Sequence, residues 1–397
     1  MENIELKKMG RSERVLTFDF DYPADLDPVF NHSKLRFEYD TDISTVPDSI
    51  AVIPYVGNLA PVAWAYDIEL AIPEIGQRFK RTLEEVRTIL DRLYPEIGFV
   101  GMGGGIEAET TIEWGGGQVG SSKTGQLFTG GLDSITTYVR HHDESPKLVT
   151  VKKRENAYNG QWDRAEELLS GFADRNDVDW SSISTNSYYL MDHSYLEAQF
   201  PESLPTSSWW ANLHAGLSHL ATCSPLAVAE GLDTMLMAST HTNDFEQPWS
   251  TDPRIINKIA WGKTECFNDG YELTRQEKWQ TVIDHFEPRG GVHVQSCLTP
   301  GNCNSTECRK CARNIVALAL EGADTEKYGY SIPNNYFKGV RENFETGRWR
   351  LSANNLFFWE DIQDHIPDDI NSADLPDSSM DFFSWLASED LEKYVHS

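Results

Sequence analysis

Apolar and polar residues alternate in short runs over the first third of the chain. Arg14 to Phe20 (RVLTFDF), Leu35 to Tyr39 (LRFEY) and Ser49 to Tyr55 (SIAVIPY) carry the patterns of strands. Pro73 to Tyr94 switches to a helical stripe, with Phe79, Leu83, Val86, Ile89, Leu90 and Leu93 at spacings near three and four. Glu107 to Trp114 (EAETTIEW) returns to strand. These elements predict a small α+β domain over residues 1–122, ending in Gly115-Gly116-Gly117.

From Gly125 the rhythm becomes strand, helix, strand. Gln126 to Phe128, Lys147 to Lys152, Trp180 to Leu190 and Asp233 to Ser239 are the expected strands, and Asp133 to His141, Trp162 to Asn176 and Trp209 to Ala221 the helices. Such alternation predicts an α/β domain over residues 123–325, a parallel sheet with helices on both faces. Ligands of such sheets bind at the carboxyl ends of the strands, beside the first strand–helix turn. Residues 326–397 predict a mostly helical extension. In it an acidic stretch, Pro367 to Ser379, precedes a helix over Asp381 to Tyr394 with Phe382, Phe383, Trp385, Leu386 and Leu391 for packing. The chain has no internal repeat.

Composition narrows the function. Hydrophobic residues make up 40% of 397 positions, with 12 Trp and 18 Phe, enough for a sizeable core. No apolar run approaches the ~18 residues of a membrane helix, and the N-terminus lacks an apolar signal core, so a cytoplasmic protein is expected. The formal charge of −28 disfavours nucleic acid as the main substrate, because binding a phosphate backbone needs a basic face.

Two glycine-rich stretches then compete as phosphate loops. Gly117, followed after four residues by Ser122-Lys123-Thr124, has Walker A spacing with serine in place of the second glycine. A Walker loop must open a helix at once. Here Gly125, a strand-like Gln-Leu-Phe and two further glycines follow instead, which excludes it. Thr129-Gly130-Gly131-Leu132-Asp133-Ser134 has the required context, a strand ending at Phe128 and a helix starting at Asp133. Paired glycines let the backbone approach a pyrophosphate, Thr129 and Ser134 offer hydroxyls, and the helix N-terminus supplies N–H groups. Asp133 is expected to cap that helix or to help hold a metal ion.

Thr129 to Ser134 resembles the S-G-G-x-D-S loop of the adenine-nucleotide α-hydrolase superfamily, with threonine for the first serine. The resemblance implies the HUP-type, pyrophosphate-loop fold and cleavage of ATP to AMP and pyrophosphate. It assigns the nucleotide to Phe128, Thr129, Gly130, Gly131, Leu132, Asp133, Ser134 and Val151, and a catalytic role to Asp133 and Ser134.

Four of the six cysteines, Cys297, Cys303, Cys308 and Cys311, lie within 15 positions in SCLTPGNCNSTECRKCARN. Four thiolates at short loop spacings suit a closed, structural zinc site; a redox or free-thiol role is the alternative. Cys223 and Cys266 stand alone and are expected to be small buried residues. A pyrophosphate loop with a late cysteine knot is similar to the 7-cyano-7-deazaguanine synthase family. Ser296-Cys297, the C-x-x-C of Cys308 and Cys311, and Arg313 match its zinc motif, although four residues separate Cys303 from Cys308 where the family has two. Tyr271 to Lys278 (YELTRQEK) resembles the family's helix start before the knot. The resemblance covers roughly residues 125 to 320, so the chain looks like an enlarged, divergent relative. Some such relatives sit in antiviral gene clusters, where they are thought to attach a deazaguanine to a protein.

The resemblance implies an ATP-dependent carbon–nitrogen ligase that activates a carboxylate on a 7-deazapurine, using Mg2+ with ATP, and carries one structural Zn2+. Arg275 and Lys278 are its candidates for the departing charge or the substrate carboxylate, with a solvated face of a polar helix as the alternative. Lys152 and Lys153 lie where the nucleotide passes, and His241 in ASTHTND is a candidate substrate contact. Residues 1–122 are a candidate surface for a partner protein that supplies the amine. Two other readings stay open: a sulfur transferase, for which Cys223 is the candidate thiol, and a nucleotide sensor without catalysis.

Overall fold

The alternation in VLTFDF buries Leu16, Phe18 and Phe20 on one side of a strand, and similar patterns build the whole sheet. The computed structural model describes residues 3–99, 104–114, 123–153, 161–245, 247–296, 304, 306–370 and 375–395. Within them the strands are β1 (Asn3–Arg11), β2 (Val15–Asp21), β3 (Lys34–Tyr39), β4 (Glu69–Gly76), β5 (Ile106–Ile112) and β6 (Thr124–Leu127). β7 (Lys147–Lys153), β8 (Trp180–Thr185), β9 (Thr234–Ala238), β10 (Ala260–Trp261) and β11 (Thr264–Asp269) follow. All lie in one sheet, ordered β10-β11-β9-β6-β7-β8-β3-β2-β1-β4-β5.

The fold is mixed α/β, and the sheet is mostly parallel. β11, β9, β6, β7 and β8 run parallel, as do β1, β4 and β5, while β3 and β2 form the antiparallel bridge between the two blocks. From β6 the chain moves outward to β7 and β8, then returns through the helix Ala215–Glu230 to lay β9 on the other side of β6. The turn after β6 therefore sits where the strand order reverses, the usual ligand crevice of such sheets. Successive strand residues point to opposite faces. On β7, Leu148 enters the core containing Phe128, Leu169 and Trp279, while Val149 enters the one containing Ile183, Leu217 and Met235.

The strands before residue 122 continue the same sheet. Phe37, Glu38 and Tyr39 of β3 pair with Thr185, Ser184 and Ile183 of β8, and Tyr39 Oη donates to Thr222 O (3.1 Å). Asp40 accepts from Ser182 N (2.7 Å) and Oγ (2.6 Å). SIAVIPY differs from its expected strand: it lies in the helices Asp48–Ala51 and Ile53–Ala65, the latter buried along its whole length. An apolar run buried all round has no period with which to tell helix from strand, and Pro54 at the start of the second helix favours the helix. Pro73 lies in β4, so the amphipathic helix starts only at Gln77 and runs to Leu93. β1, β4, β10 and β11 were not apparent from the pattern. Among the described residues no helix is long and apolar enough to cross a membrane.

The helix Ile53–Ala65 packs directly on Ala215–Glu230. Ser218 Oγ donates to Asn58 Oδ1 (2.6 Å), and a Cβ on Gly57 would stand 2.3 Å from the Ala221 methyl. Gly57→Val is therefore expected to destabilise the protein by about 1–3 kcal/mol through overpacking, read as a lower urea midpoint at unchanged slope.

Candidate functional site

Phe128 extends the β6 ladder, donating its N–H to Val149 O (2.8 Å) and accepting from Thr150 Oγ1 (2.7 Å). Gly130 then takes φ +67°, a left-handed conformation that glycine adopts without strain. Its carbonyl accepts the Gln295 N–H (2.7 Å), and a Cβ on Gly131 would lie 3.3 Å from Gln295 O. A side chain at 130 would strain the backbone and one at 131 would crowd Gln295, so the two glycines favour the close approach of the Val294–Ser296 segment. Thr129 N–H points at Ser134 Oγ (3.3 Å), and that hydroxyl donates to Gly131 O (3.0 Å). The helix Leu132–His141 starts one residue earlier than the pattern suggests, with Gly131 as its cap. Asp133 lies in the first turn and does not cap it.

The Asp133 carboxylate instead faces two cations. Lys278 Nζ lies 3.3 Å and Arg275 Nη1 3.5 Å from its Oδ1. Both cations stand at the start of the helix Arg275–Phe286, fixed by a capping box: Thr274 Oγ1 accepts from Glu277 N (3.2 Å), and Glu277 Oε2 accepts from Thr274 N (2.7 Å). Positions 275 and 278 are one turn apart, so they share the face toward the loop. Lys278 also donates to Ser239 O (2.6 Å) and Arg275 to Asn314 Oδ1 (3.1 Å). Both side chains are buried rather than lying on a solvated face. Burial pushes the Asp133 carboxyl up, but Lys278 and Arg275 together outweigh it and hold the group below its ordinary value. Burial lowers Lys278, outweighing the pull of Asp133.

The C-terminal extension supports this cluster. In the helix Ala353–Asp364, the Phe358 ring lies 5.3 Å from the Arg275 guanidinium carbon and 4.1 Å from that of Arg313. Asp361 Oδ2 accepts from Gln276 N (3.0 Å). Arg313 is buried, and burial together with the neighbouring Arg275 holds it well below its ordinary value. His241 stacks between Phe245 and Phe358 and hydrogen-bonds Asn354 Oδ1 (3.0 Å). Burial lowers it to about 4, so it is a neutral packing piece near pH 7.

Two cavities flank the loop and share Thr129, Asp133 and Thr240. The larger, about 360 Å³, is lined by Gly131, Arg275, Gln295, Lys310 and Asn314. Its cations and the N–H groups of the helix's first turn suit an anion. The smaller, about 200 Å³, lies at the strand ends against Phe128, Val149, Val151, Met237 and His219. Its apolar walls suit a flat ring. Thr240, Gln295, Lys310, Asn314 and His219 carry no local motif; only the topology brings them to the loop.

The adjacent lysines of β7 separate by face. Lys152 is buried and paired with Glu166, whereas Lys153 turns to the side of Val149 and Val151. Burial raises the Cys223 and Cys266 thiols far above their ordinary value, and Cys223 is fully enclosed, so it is not a reactive thiol near the loop.

Cys297 and Cys303 lie outside the described residues, as does most of the Walker-like stretch. Cys308 caps the helix Arg309–Leu320, its Sγ accepting from Cys311 N (3.4 Å). The contact between the two side chains lowers the Cys308 thiol and raises that of Cys311. Asn304 and Thr306 take positive φ (58° and 64°), and Asn304 Oδ1 accepts from Ser296 N (2.9 Å). Ser296 and Asn304, the sequence neighbours of Cys297 and Cys303, are thus tied together. Among the described residues no group of three or more His, Cys, Asp or Glu is placed to hold a metal. No protein-family model matches the chain, and no curated protein matches it significantly.

Removing the Asp133 charge leaves two buried cations without their counter-charge. Asp133→Asn is therefore expected to cost about 3–5 kcal/mol in urea unfolding at pH 7. Because the folded carboxyl is held below its ordinary 3.8, its contribution is present above that pH and is lost as pH falls through the folded value. The difference between wild type and Asp133→Asn should accordingly shrink below about pH 4.

Proposed function

We propose that the chain is an ATP-dependent ligase that adenylates a carboxylate, a divergent member of the pyrophosphate-loop class resembling 7-cyano-7-deazaguanine synthase. The observation that carries this reading is the glycine turn at the strand-order reversal, with a cation-lined cavity on one side and an apolar one on the other.

In this reading the adenine and ribose of ATP occupy the apolar cavity against Val151 and Phe128. The β- and γ-phosphates lie in the polar cavity over Thr129 to Ser134. A carboxylate oxygen bonds to the α-phosphorus, the bond from that phosphorus to the bridging oxygen breaks, and pyrophosphate leaves. An amine then attacks the acyl carbon, loses a proton and displaces AMP, leaving an amide. The N–H groups of the loop and the Arg275 guanidinium stabilise charge as it develops on pyrophosphate. Lys278 fixes Asp133, whose carboxylate is a candidate ligand for the phosphate-bound metal. Mg2+ supplies charge neutralisation across the phosphates. The acceptor class is a planar carboxylic acid such as 7-carboxy-7-deazaguanine, and the amine is ammonia or one from a partner protein held by residues 1–122. Cys297, Cys303, Cys308 and Cys311 hold one structural zinc, which agrees with a reducing, cytoplasmic setting. The enclosure of Cys223 weighs against a sulfur transferase.

Magnesium-ATP, 7-carboxy-7-deazaguanine and ammonium should yield AMP and pyrophosphate. Ser134→Ala should lower the rate by about 100-fold while keeping the fold. ADP as product would contradict the reading, and tight ATP binding without turnover for any carboxylate would favour a sensor. The zinc assignment predicts about one zinc per chain by atomic emission, lost in Cys308→Ser. Chelator should lower the melting temperature of wild type only.

A further inference from the structure

Val149, Val151 and Lys153 follow one another along the same face of β7, and the first two line the apolar cavity. Lys153 is the next step outward. Its Nζ lies 4.2 Å over the Trp210 ring and 4.8 Å over the Tyr188 ring. Three imidazoles complete the recess: His193 stacks on Tyr188 (4.5 Å), His214 stacks on Trp210 (5.0 Å), and His219 meets the Trp210 edge (5.5 Å). His219 also lines the apolar cavity, so the cluster adjoins that cavity. Trp210 and His214 lie in a π-helical turn, and His219 in the helix that follows it.

The recess is rich in basic groups and poor in acids. Among the described residues no carboxylate pairs with Lys153; Asp192 and Glu197 act on His193 instead. His214 is fully buried with its Nε2 unpartnered, and His193 Nδ1 also lacks a partner. Burial lowers Lys153 to about 8 and brings the three imidazoles below their ordinary value. A buried cation without a counter-ion is destabilising, and an aliphatic side chain would fill the same space at less cost.

We propose that this recess is the acceptor subsite, with Lys153 as the counter-charge for the acceptor's carboxylate and His219 as the contact between acceptor and nucleotide. The placement rests on the nucleotide reading above. A carboxylate fits better than a phosphate, because the recess offers one cation among neutral imidazoles, whereas several cations gather on the other side of the loop. Tyr188 and Trp210 shield the pair from water, which strengthens it.

The test is calorimetric titration of the full chain with 7-carboxy-7-deazaguanine, and with indole-3-carboxylate as a simpler probe, without ATP. At pH 8, in two buffers of different ionisation enthalpy, binding should draw a proton onto Lys153. Lys153→Met should lose at least about 10-fold in affinity together with the proton uptake, and Lys153→Arg should keep most of the affinity. Since the folded lysine titrates below its unfolded value, wild-type stability should rise with pH from about 8 to 10. Lys153→Met should melt at or above the wild-type temperature at pH 7, which separates lost binding from lost folding. Unchanged affinity and proton uptake in Lys153→Met, or no binding of either probe to the wild type, overturns the proposal. Binding without AMP formation leaves the subsite standing and contradicts the ligase reading alone. AMP formation with an unchanged KM in Lys153→Met contradicts the subsite alone.

Discussion

The site depends on one electrostatic arrangement: a carboxylate at the first turn of the loop helix, held between two buried cations. Lys278 and Arg275 hold the Asp133 carboxyl below its ordinary value against the effect of burial, and Asp133 supplies the counter-charge to both. This pairing couples distant parts of the chain. The loop comes from the strand–helix turn after β6, the cations from a helix about 140 residues later, and the ring beneath Arg275 from the C-terminal extension. Phe358, Asn354 and Asp361 make that extension part of the site's wall.

The sheet sets where the site lies. β6 carries β7 on one side and β9 on the other, so its carboxyl end opens into a crevice that neither neighbour closes. The same strands sort their side chains by face. Lys152 turns to Glu166 and is neutralised; Lys153, one residue on, turns to the other face, where its Nζ lies over the Tyr188 and Trp210 rings. Adjacent residues of one type thus acquire different environments through the period of two alone.

Local chemistry made part of this legible in the sequence. The glycine turn and its flanking strand and helix are local signals, and they lie within two residues of where the pattern puts them. The polarity of Arg275 and Lys278 suggested a solvated face as readily as a site. What buries them is tertiary packing by helices far along the chain. SIAVIPY failed as a strand because a segment buried on every side has no polar face to mark its period. The aromatic and histidine recess was not legible either. Its residues come from β7, the short turn at Ser187–Leu190, the start of the helix His193–Gln199, the π-helical turn and the helix Ala215–Glu230, which meet only once the sheet has formed.

The central claim is that the bond broken lies at the α-phosphorus and that a carboxylate makes the attack. Incubating the protein with ATP, radiolabelled pyrophosphate and 7-carboxy-7-deazaguanine, with no amine present, tests both parts together. The account predicts label appearing in ATP only when the carboxylate is supplied, because adenylation reverses on the enzyme. Absence of exchange, with ADP and phosphate accumulating instead, would contradict it.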